Sequence, residues 1–204
     1  MSYLASAGEV RVRFTGTDVA GLDAVRDRAQ GLLGPAVSGR DLELPAATVL
    51  RLLTERGATV AVAESLTGGA LAAALVDIPG ASTAFRGGVV AYATELKTEL
   101  LGVDPGLLAA GGPVQAEVAV AMAQAVRTRL GATYGVATTG VAGPDSLDSL
   151  PPGTAYVAVS GGGPGRDHAR ALHLPGGRET VRRLVVVHAL DLLRRTVLEV
   201  EQAV

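Results

Sequence analysis

The chain has no cysteine and no tryptophan among its 204 residues. Without cysteine it can form no disulfide, no thiolate nucleophile and no cysteine-ligated zinc or iron–sulfur centre. Lysine is nearly absent as well, since Lys97 is the one lysine among 18 basic residues. Basic and acidic residues almost balance, with a formal net charge of −2, and this argues against a nucleic-acid groove as the main functional surface.

Long apolar runs are also missing. The longest uncharged apolar stretches, such as residues 69–76, fall far short of the roughly 20 residues that a membrane span needs. The first residues lack the basic-then-apolar pattern of a signal peptide, so we expect a soluble, cytoplasmic protein that uses no membrane. A hydrophobic content of 48% predicts a well-filled core and favours a homo-oligomer, most simply a dimer.

The near-absence of lysine has two interpretations. Replacement of lysine by arginine throughout a chain is usually a matter of coding bias. Alternatively, Lys97 remains because arginine cannot do its work: a buried lysine can lose its proton at neutral pH, whereas arginine stays charged. The residue count alone leaves both interpretations open.

The first 41 residues predict a small β-α-β appendage. Residues 8–15 alternate apolar and charged side chains, which is typical of a half-buried strand. Helical spacing of apolar residues follows over 18–33, and a short strand is expected at 36–38. A piece of this size buries too little surface for independent stability, so we expect it to lean on the rest of the chain or on a partner.

Residues 42–204 form the predicted main domain. In this part of the chain, segments with the apolar spacing of helices alternate with short apolar segments typical of strands. Helices are predicted at 44–56, 67–77, 95–101, 115–130 and 178–201, and strands at 58–65, 85–94, 133–139, 154–160 and 169–174. Residues 102–106 read as a turn. This order predicts an α/β fold: a three-layer α/β/α sandwich around a mostly parallel mixed sheet, in which the last two strands form an antiparallel edge.

Ser65 is the first candidate for chemistry. It follows an apolar strand and precedes a helix, so its hydroxyl is expected near the unpaired N–H groups of a helix N-terminus. Such a hydroxyl can attack a carbonyl whose developing oxyanion meets those donors, and the same place can bind a phosphate. The simpler interpretation is that Ser65 or Thr67 caps the helix.

A serine nucleophile needs a base, and the three histidines serve poorly. His188 sits in an apolar run, while His168 and His173 are five residues apart on one strand and therefore face opposite sides. Lys97 is the other choice, one helical turn after the strand that carries Tyr92. The segments of Ser65, Lys97 and residues 138–144 all follow strands, so they should meet at one edge of a parallel sheet.

At these residues the chain resembles a known family. Three motifs occur in order: AESLTGG, then FRGGVVAYATELK, then TTGVAGP, followed by GTAYVAV. From about residue 42 to 198 the sequence closely resembles the C-terminal domain of the competence/damage-inducible protein CinA, which is also the nicotinamide-nucleotide amidase (PncC) family. Each motif alone is weak, but the combination is specific.

The resemblance implies a hydrolase that converts nicotinamide mononucleotide to nicotinic acid mononucleotide and ammonia without a cofactor or metal. It assigns the nucleophile to Ser65 and the general base to Lys97, with Tyr92 assisting. The substrate-binding residues that it implies are Glu64, Thr67, Gly68, Gly69, Gly88, Thr139, Gly140, Ala142 and Gly143.

Residues 1–41 resemble the final portion of the KH-like domain that precedes this one in long CinA proteins. The chain also departs from the family pattern, most of all in the loop 145–153, and these changes bear on substrate more than on reaction type. The alternative is therefore a non-catalytic nucleotide-binding or competence-associated interaction module on the same fold. An RNA-binding protein is a weaker third alternative, since the KH-like segment is too short for a complete domain.

Overall fold

The computed structural model describes residues 1–6, 8–41, 43–163 and 165–199. Seven strands and seven α-helices occur in this part of the chain. The strands are β1 (Ser2–Ser6), β2 (Glu9–Arg13), β3 (Val60–Glu64), β4 (Phe85–Val90), β5 (Tyr134–Gly140), β6 (Thr154–Gly161) and β7 (Asp167–His173). The helices are α1 (Val19–Leu33), α2 (Pro45–Glu55), α3 (Ala70–Val76), α4 (Thr94–Leu101), α5 (Pro105–Gly111), α6 (Ala116–Arg129) and α7 (Arg178–Glu199).

Five strands form the main sheet in the order β4-β3-β5-β6-β7. Strand β3 pairs in parallel with both β4 and β5, and β6 and β7 complete the sheet as an antiparallel edge. Helices cover both faces, which confirms the predicted α/β class with its mixed sheet. The carboxyl ends of β3, β4 and β5 therefore lie at one edge, where ligand sites of such sheets are found.

The two faces of the sheet pack differently because their side chains differ in size. Val60 and Val62 of β3 point into a cluster with α2, α3 and α7. Ala61 and Ala63 point the other way, against α6. Small residues let α6 approach closely, and at Gly135 of β5 even one added Cβ would collide with the carbonyl of Ala123.

The N-terminal segment differs from its prediction in the order of its elements. Strands β1 and β2 form an antiparallel hairpin, and α1 follows, so the order is β-β-α. The strand expected at 36–38 is wrong, because Gly34–Ala36 form a 3-10 helix and residues 37 and 38 belong to no strand. Strand β1 was not predicted, because its sequence contains no charged residues that alternate with apolar ones.

The structure also differs from the predicted boundaries at the start of α5. The turn predicted at 102–106 overlaps α5, which begins at Pro105 and is capped by the Asp104 carboxylate accepting from the Gly106 amide at 2.9 Å. The predicted domain start at residue 42 and the predicted end of the last helix at 201 lie outside the described residues. In the described part of the chain, no helix is long and apolar enough to cross a membrane.

Candidate active site

A cavity of about 380 Å³ opens beyond the carboxyl ends of the parallel strands. Ser65 follows β3, Tyr92 and Lys97 follow β4, and the segment from Thr139 begins in the last residues of β5, so the sheet topology itself brings them together. The lining consists of Ser65, Leu66, Tyr92, Thr94, Lys97, Pro113, Val114, residues 139–145, Leu147 and Arg178. Its volume lies within the range of small-molecule sites.

Ser65 sits on a tight turn directly after β3. Its amide donates to the carbonyl of Thr138 at 3.0 Å, which ties the turn to β5, and its carbonyl accepts from the Gly68 amide at 3.0 Å. Gly68 adopts a φ of 58° and Gly69 one of 93°, a left-handed backbone that side chains disfavour. Two consecutive glycines thus let the chain turn sharply from strand to helix with Ser65 at the cavity wall.

Lys97 reaches the serine from α4. Its Nζ donates to Ser65 Oγ at 3.1 Å and to the carbonyl of Ala91 at 3.0 Å. The side chain is 1% exposed, and within the described residues no carboxylate lies within 4.0 Å of it. A fully buried lysine without an acidic partner is unusual, because a buried charge is ordinarily paired.

Burial lowers the pKa of Lys97 below its ordinary value of 10.5, because desolvation disfavours the ammonium form. Glu95, in the first turn of the same helix, opposes the shift through its charge but does not outweigh burial. The amine is therefore poised to become neutral and to accept the proton of the hydroxyl that it contacts. This is the requirement for a general base beside a serine.

Tyr92 lines the cavity, but its hydroxyl contacts neither Ser65 nor Lys97. It is 55% exposed and accepts a hydrogen bond from Arg178 Nη2 at 2.7 Å. Arg178 Nη1 donates to the carbonyl of Gly143 at 3.0 Å. The two side chains form one side of the cavity, so the geometry makes Tyr92 a partner of Arg178.

Glu64 has a different place from that implied by the resemblance. It is fully buried, and its carboxylate accepts from the amides of Gly69, Leu71 and Ala72 at 2.8–3.0 Å. The acidic side chain therefore caps the N-terminus of α3, where negative charge is favourable. Its oxygens are occupied by the helix, and Glu64 does not line the cavity.

The other implied substrate-binding residues fall into two groups. Those that line the cavity are Thr139, Gly140, Ala142 and Gly143. Those that do not are Thr67, Gly68, Gly69 and Gly88. Thr67 Oγ1 instead lies 2.8 Å from Thr138 Oγ1, and a Cβ at Gly88 would lie 2.5 Å from Val62 Cγ2, so both serve packing of the sheet edge.

The capping interpretation of Ser65 and Thr67 is wrong, because α3 begins at Ala70 with Gly69 at its N-cap position, and the two hydroxyls bond to Lys97 and Thr138 instead. Sequence reasoning also missed Arg178 and Arg182, which reach the site from α7. Arg182 donates to the carbonyls of Leu66 and Thr67. They lie more than 100 residues from Ser65 along the chain, so no local motif marks them. Within the described residues, no three histidine, aspartate or glutamate side chains group as metal ligands.

Comparison with known proteins identifies the family to which the chain belongs. Residues 43–197 match the family described as the CinA C-terminal domain. A CinA-like protein of Frankia casuarinae is 50% identical over 201 residues, which cover 96% of this chain and 46% of that protein. A putative competence-damage inducible protein of Desulforudis audaxviator is 40% identical, covering 95% of this chain and 48% of that protein. The chain spans about half the length of these curated relatives.

Solved structures agree with the sequence relatives. The competence/damage inducible protein CihA from Agrobacterium tumefaciens superposes with a TM-score of 0.72 at 32% identity, covering 74% of this chain and 93% of that one. A CinA superfamily protein from Klebsiella pneumoniae gives a TM-score of 0.73 at 30% identity, covering 76% and 96%. From its sequence match, its relatives and its fold, the chain belongs to the CinA family, through the CinA C-terminal domain.

Proposed function

We propose that the chain hydrolyses the carboxamide of nicotinamide mononucleotide, giving nicotinic acid mononucleotide and ammonia. The observation that carries the proposal is the contact of the buried Lys97 Nζ with Ser65 Oγ at 3.1 Å, on the wall of a cavity of substrate size. A serine beside a lysine that readily becomes neutral is a nucleophile with its base. The choice of nicotinamide mononucleotide as the substrate rests on the family resemblance.

In the first half of the reaction, Ser65 attacks the carboxamide carbon. Neutral Lys97 accepts the hydroxyl proton, and the Ala91 carbonyl holds one of its N–H groups, which leaves the nitrogen lone pair for the serine. The tetrahedral oxyanion is stabilised by backbone amides of the turn after Ser65. Collapse of this intermediate breaks the C–N bond, and the Lys97 ammonium gives its proton to the amide nitrogen, which leaves as ammonia.

In the second half, water replaces ammonia. The ester formed with Ser65 is attacked by a water whose proton passes to neutral Lys97. Breakdown of the second tetrahedral intermediate releases the carboxylate product and returns the proton to Ser65 Oγ. The same two groups thus serve both halves, and the reaction consumes only water.

Charge at the cavity supports a nucleotide substrate. Apart from Lys97, Arg178 is the one cationic side chain among the described residues that line the cavity. Its guanidinium is exposed at the wall, held by the Gly143 carbonyl and the Tyr92 hydroxyl. Guanidinium groups bind phosphate well, so we assign Arg178 to the phosphate and the region of Ser65 to the carboxamide.

The proposal is tested by ammonia release from nicotinamide mononucleotide. Ser65→Ala and Lys97→Arg should each abolish turnover with the fold retained, since the first removes the nucleophile and the second replaces the base by a group that stays protonated. Ser82→Ala, at an exposed serine outside the cavity, is the matched control and should keep full activity. Turnover that survives either site change contradicts the mechanism.

A non-catalytic nucleotide-binding module is the second candidate. The observation that favours it is that Asp145 and Leu147, from the loop that departs from the family pattern, form part of the cavity wall. Calorimetric binding of nicotinamide mononucleotide without ammonia release would support this candidate over the enzyme.

A further inference from the structure

Arg182 holds the turn that carries Ser65, although it does not line the cavity itself. It lies in the first turns of α7, half-buried, 116 residues from Leu66 in sequence. Its Nε donates to the carbonyl of Leu66 at 3.0 Å, and its Nη2 donates to that of Thr67 at 2.6 Å. The guanidinium fork thus fixes two consecutive peptide groups.

The carbonyls of this turn are all engaged. Ser65 O accepts from the Gly68 amide at 3.0 Å, and the next two carbonyls accept from Arg182. A trans peptide holds the carbonyl of one residue and the N–H of the next on opposite sides, so a donor that fixes the carbonyl also fixes that N–H. Arg182 therefore fixes the N–H groups of Thr67 and Gly68. Because the Gly68 amide donates to Ser65 O, Arg182 also holds the peptide that carries the Leu66 N–H. Hydrogen bonding at the carbonyl further polarises that N–H.

The amides of the same turn are only partly engaged. The Ser65 amide donates to β5, the Gly68 amide to Ser65 O, and the Gly69 amide to the Glu64 carboxylate. The amides of Leu66 and Thr67 have no acceptor among the described residues, although both residues are buried. Buried N–H groups without a partner are rare, and at Leu66, which borders the cavity, such a group marks a place where an acceptor can arrive from outside the protein.

We propose that Arg182 is a positioning residue for the hydrolysis: it locks the turn so that the unpaired Leu66 amide, at the cavity wall, meets the oxyanion formed when Ser65 attacks. The inference rests on the proposed function in taking Ser65 as the nucleophile. Leu66 lines the cavity beside Ser65, so its amide is the principal donor. Because the turn contains glycines of high backbone freedom, it depends on an outside group for rigidity.

The first test compares Arg182→Met, Arg182→Lys and the neighbouring control Arg183→Met with nicotinamide mononucleotide. Arg183 is exposed and makes no contact with the turn. Arg182→Met should lower kcat by roughly 10²-fold, the effect of misplacing a catalytic group by about 1 Å, with KM nearly unchanged. Arg182→Lys should recover part of the loss, since an ammonium can serve one of the two carbonyls. The acid midpoint of the pH profile should stay where it is, because the Lys97 contacts are untouched.

A second test does not depend on the natural substrate. With an alkyl fluorophosphonate, Ser65 Oγ forms a bond to phosphorus, the P–F bond breaks, fluoride leaves, and the serine proton passes to Lys97. The phosphoryl oxygen then occupies the oxyanion position. Labelling of Ser65, followed by mass spectrometry with Ser65→Ala as blank, should be roughly 10²-fold slower in Arg182→Met and normal in Arg183→Met.

The outcomes separate the two proposals. Equal labelling rates in wild type and Arg182→Met overturn the role of Arg182, and so does wild type that fails to label at Ser65. Slow labelling of Ser65 in Arg182→Met and normal labelling in Arg183→Met, without ammonia release by wild type, would overturn nicotinamide mononucleotide as the substrate and support the role of Arg182. If Arg182→Met fails to fold by circular dichroism, the rate in Arg182→Lys decides, and a wild-type rate there overturns the proposal.

Discussion

Lys97 is the residue on which the proposed chemistry depends. It is the one lysine in the sequence, which reflects either coding bias or a need for a side chain that can lose its proton. The residue count did not distinguish these two interpretations. The structure separates them physically: the side chain is buried, has no acidic partner within the described residues, and contacts a serine hydroxyl. An uncompensated buried cation is costly, so a lysine kept there serves something other than stability.

The first prediction concerns pH. Burial lowers the pKa of Lys97, and the neutral amine is the active form, so kcat/KM should rise with pH through that lowered pKa and level off below pH 10.5. Initial rates of ammonia release across a pH series measure this directly. Activity that is flat or falls with rising pH over the acid limb would exclude Lys97 as the base.

Stability supplies an independent check on the same residue. The lowered pKa means that the unfolded chain binds more protons than the folded one between that pKa and 10.5. The free energy of unfolding of wild type should therefore rise with pH in this window, relative to that of Lys97→Met, which has no such proton. Urea unfolding of both proteins at several pH values gives the difference, and a difference that does not change would contradict the shift.

At the scale of elements, the N-terminus of α3 determines where Ser65 lies. The helix is short, and its first amides are held by Glu64 from the strand that precedes the serine. Glu64 therefore links β3 to α3 across the turn that carries Ser65. The same side chain caps the helix and helps to hold Ser65 in position.

The second prediction tests this link. Glu64→Ala removes an acceptor for three amides, one buried and two partly buried, and should lower the free energy of unfolding by about 3 kcal/mol, since charged hydrogen bonds contribute about 1.5–3 kcal/mol each without being additive. Activity should fall as well, because the turn loses its anchor. Urea unfolding beside Glu99→Ala, at an exposed acidic residue of α4, provides the measurement and its control. A wild-type midpoint in Glu64→Ala would rule out the capping role.

The sequence predicted most elements of the main domain, because residues such as Val60–Glu64 and Ala116–Arg129 carry clear apolar patterns bounded by glycine or proline. It did not predict β1 or α5, whose short segments lack periodicity. At the site, Ser65 and Lys97 follow strands and could be paired by topology. Arg178 and Arg182 could not, because only tertiary folding brings α7 to the turn.

At the scale of the whole molecule, the N-terminal segment contacts α7, where Arg194 donates to the carbonyl of Pro35, but adds nothing to the buried core. No residue before 42 whose exposure is described is buried, and α1 exposes Val19, Val25, Leu32 and Leu33. The apolar final helix α7 is largely covered by the chain's own sheet and helices. The exposed apolar side chains of α1 are therefore the surface through which we propose self-association.

The third prediction is that the chain forms a dimer through this surface. Light scattering after size exclusion should give about twice the chain mass of 20.5 kDa. Leu32→Glu on α1 should shift the protein toward the monomer, because it places a charge among apolar groups. Val76→Glu, at an exposed apolar residue of α3, should not. A wild-type species of 20.5 kDa would refute the dimer.

The most direct test of the central claim is ammonia release from nicotinamide mononucleotide by wild type beside Lys97→Arg, with both proteins shown to be folded. The geometry predicts steady turnover in wild type and none in the variant, because a guanidinium cannot take the proton of Ser65. Equal turnover in both proteins, or none in wild type, would contradict a Ser65–Lys97 amidase.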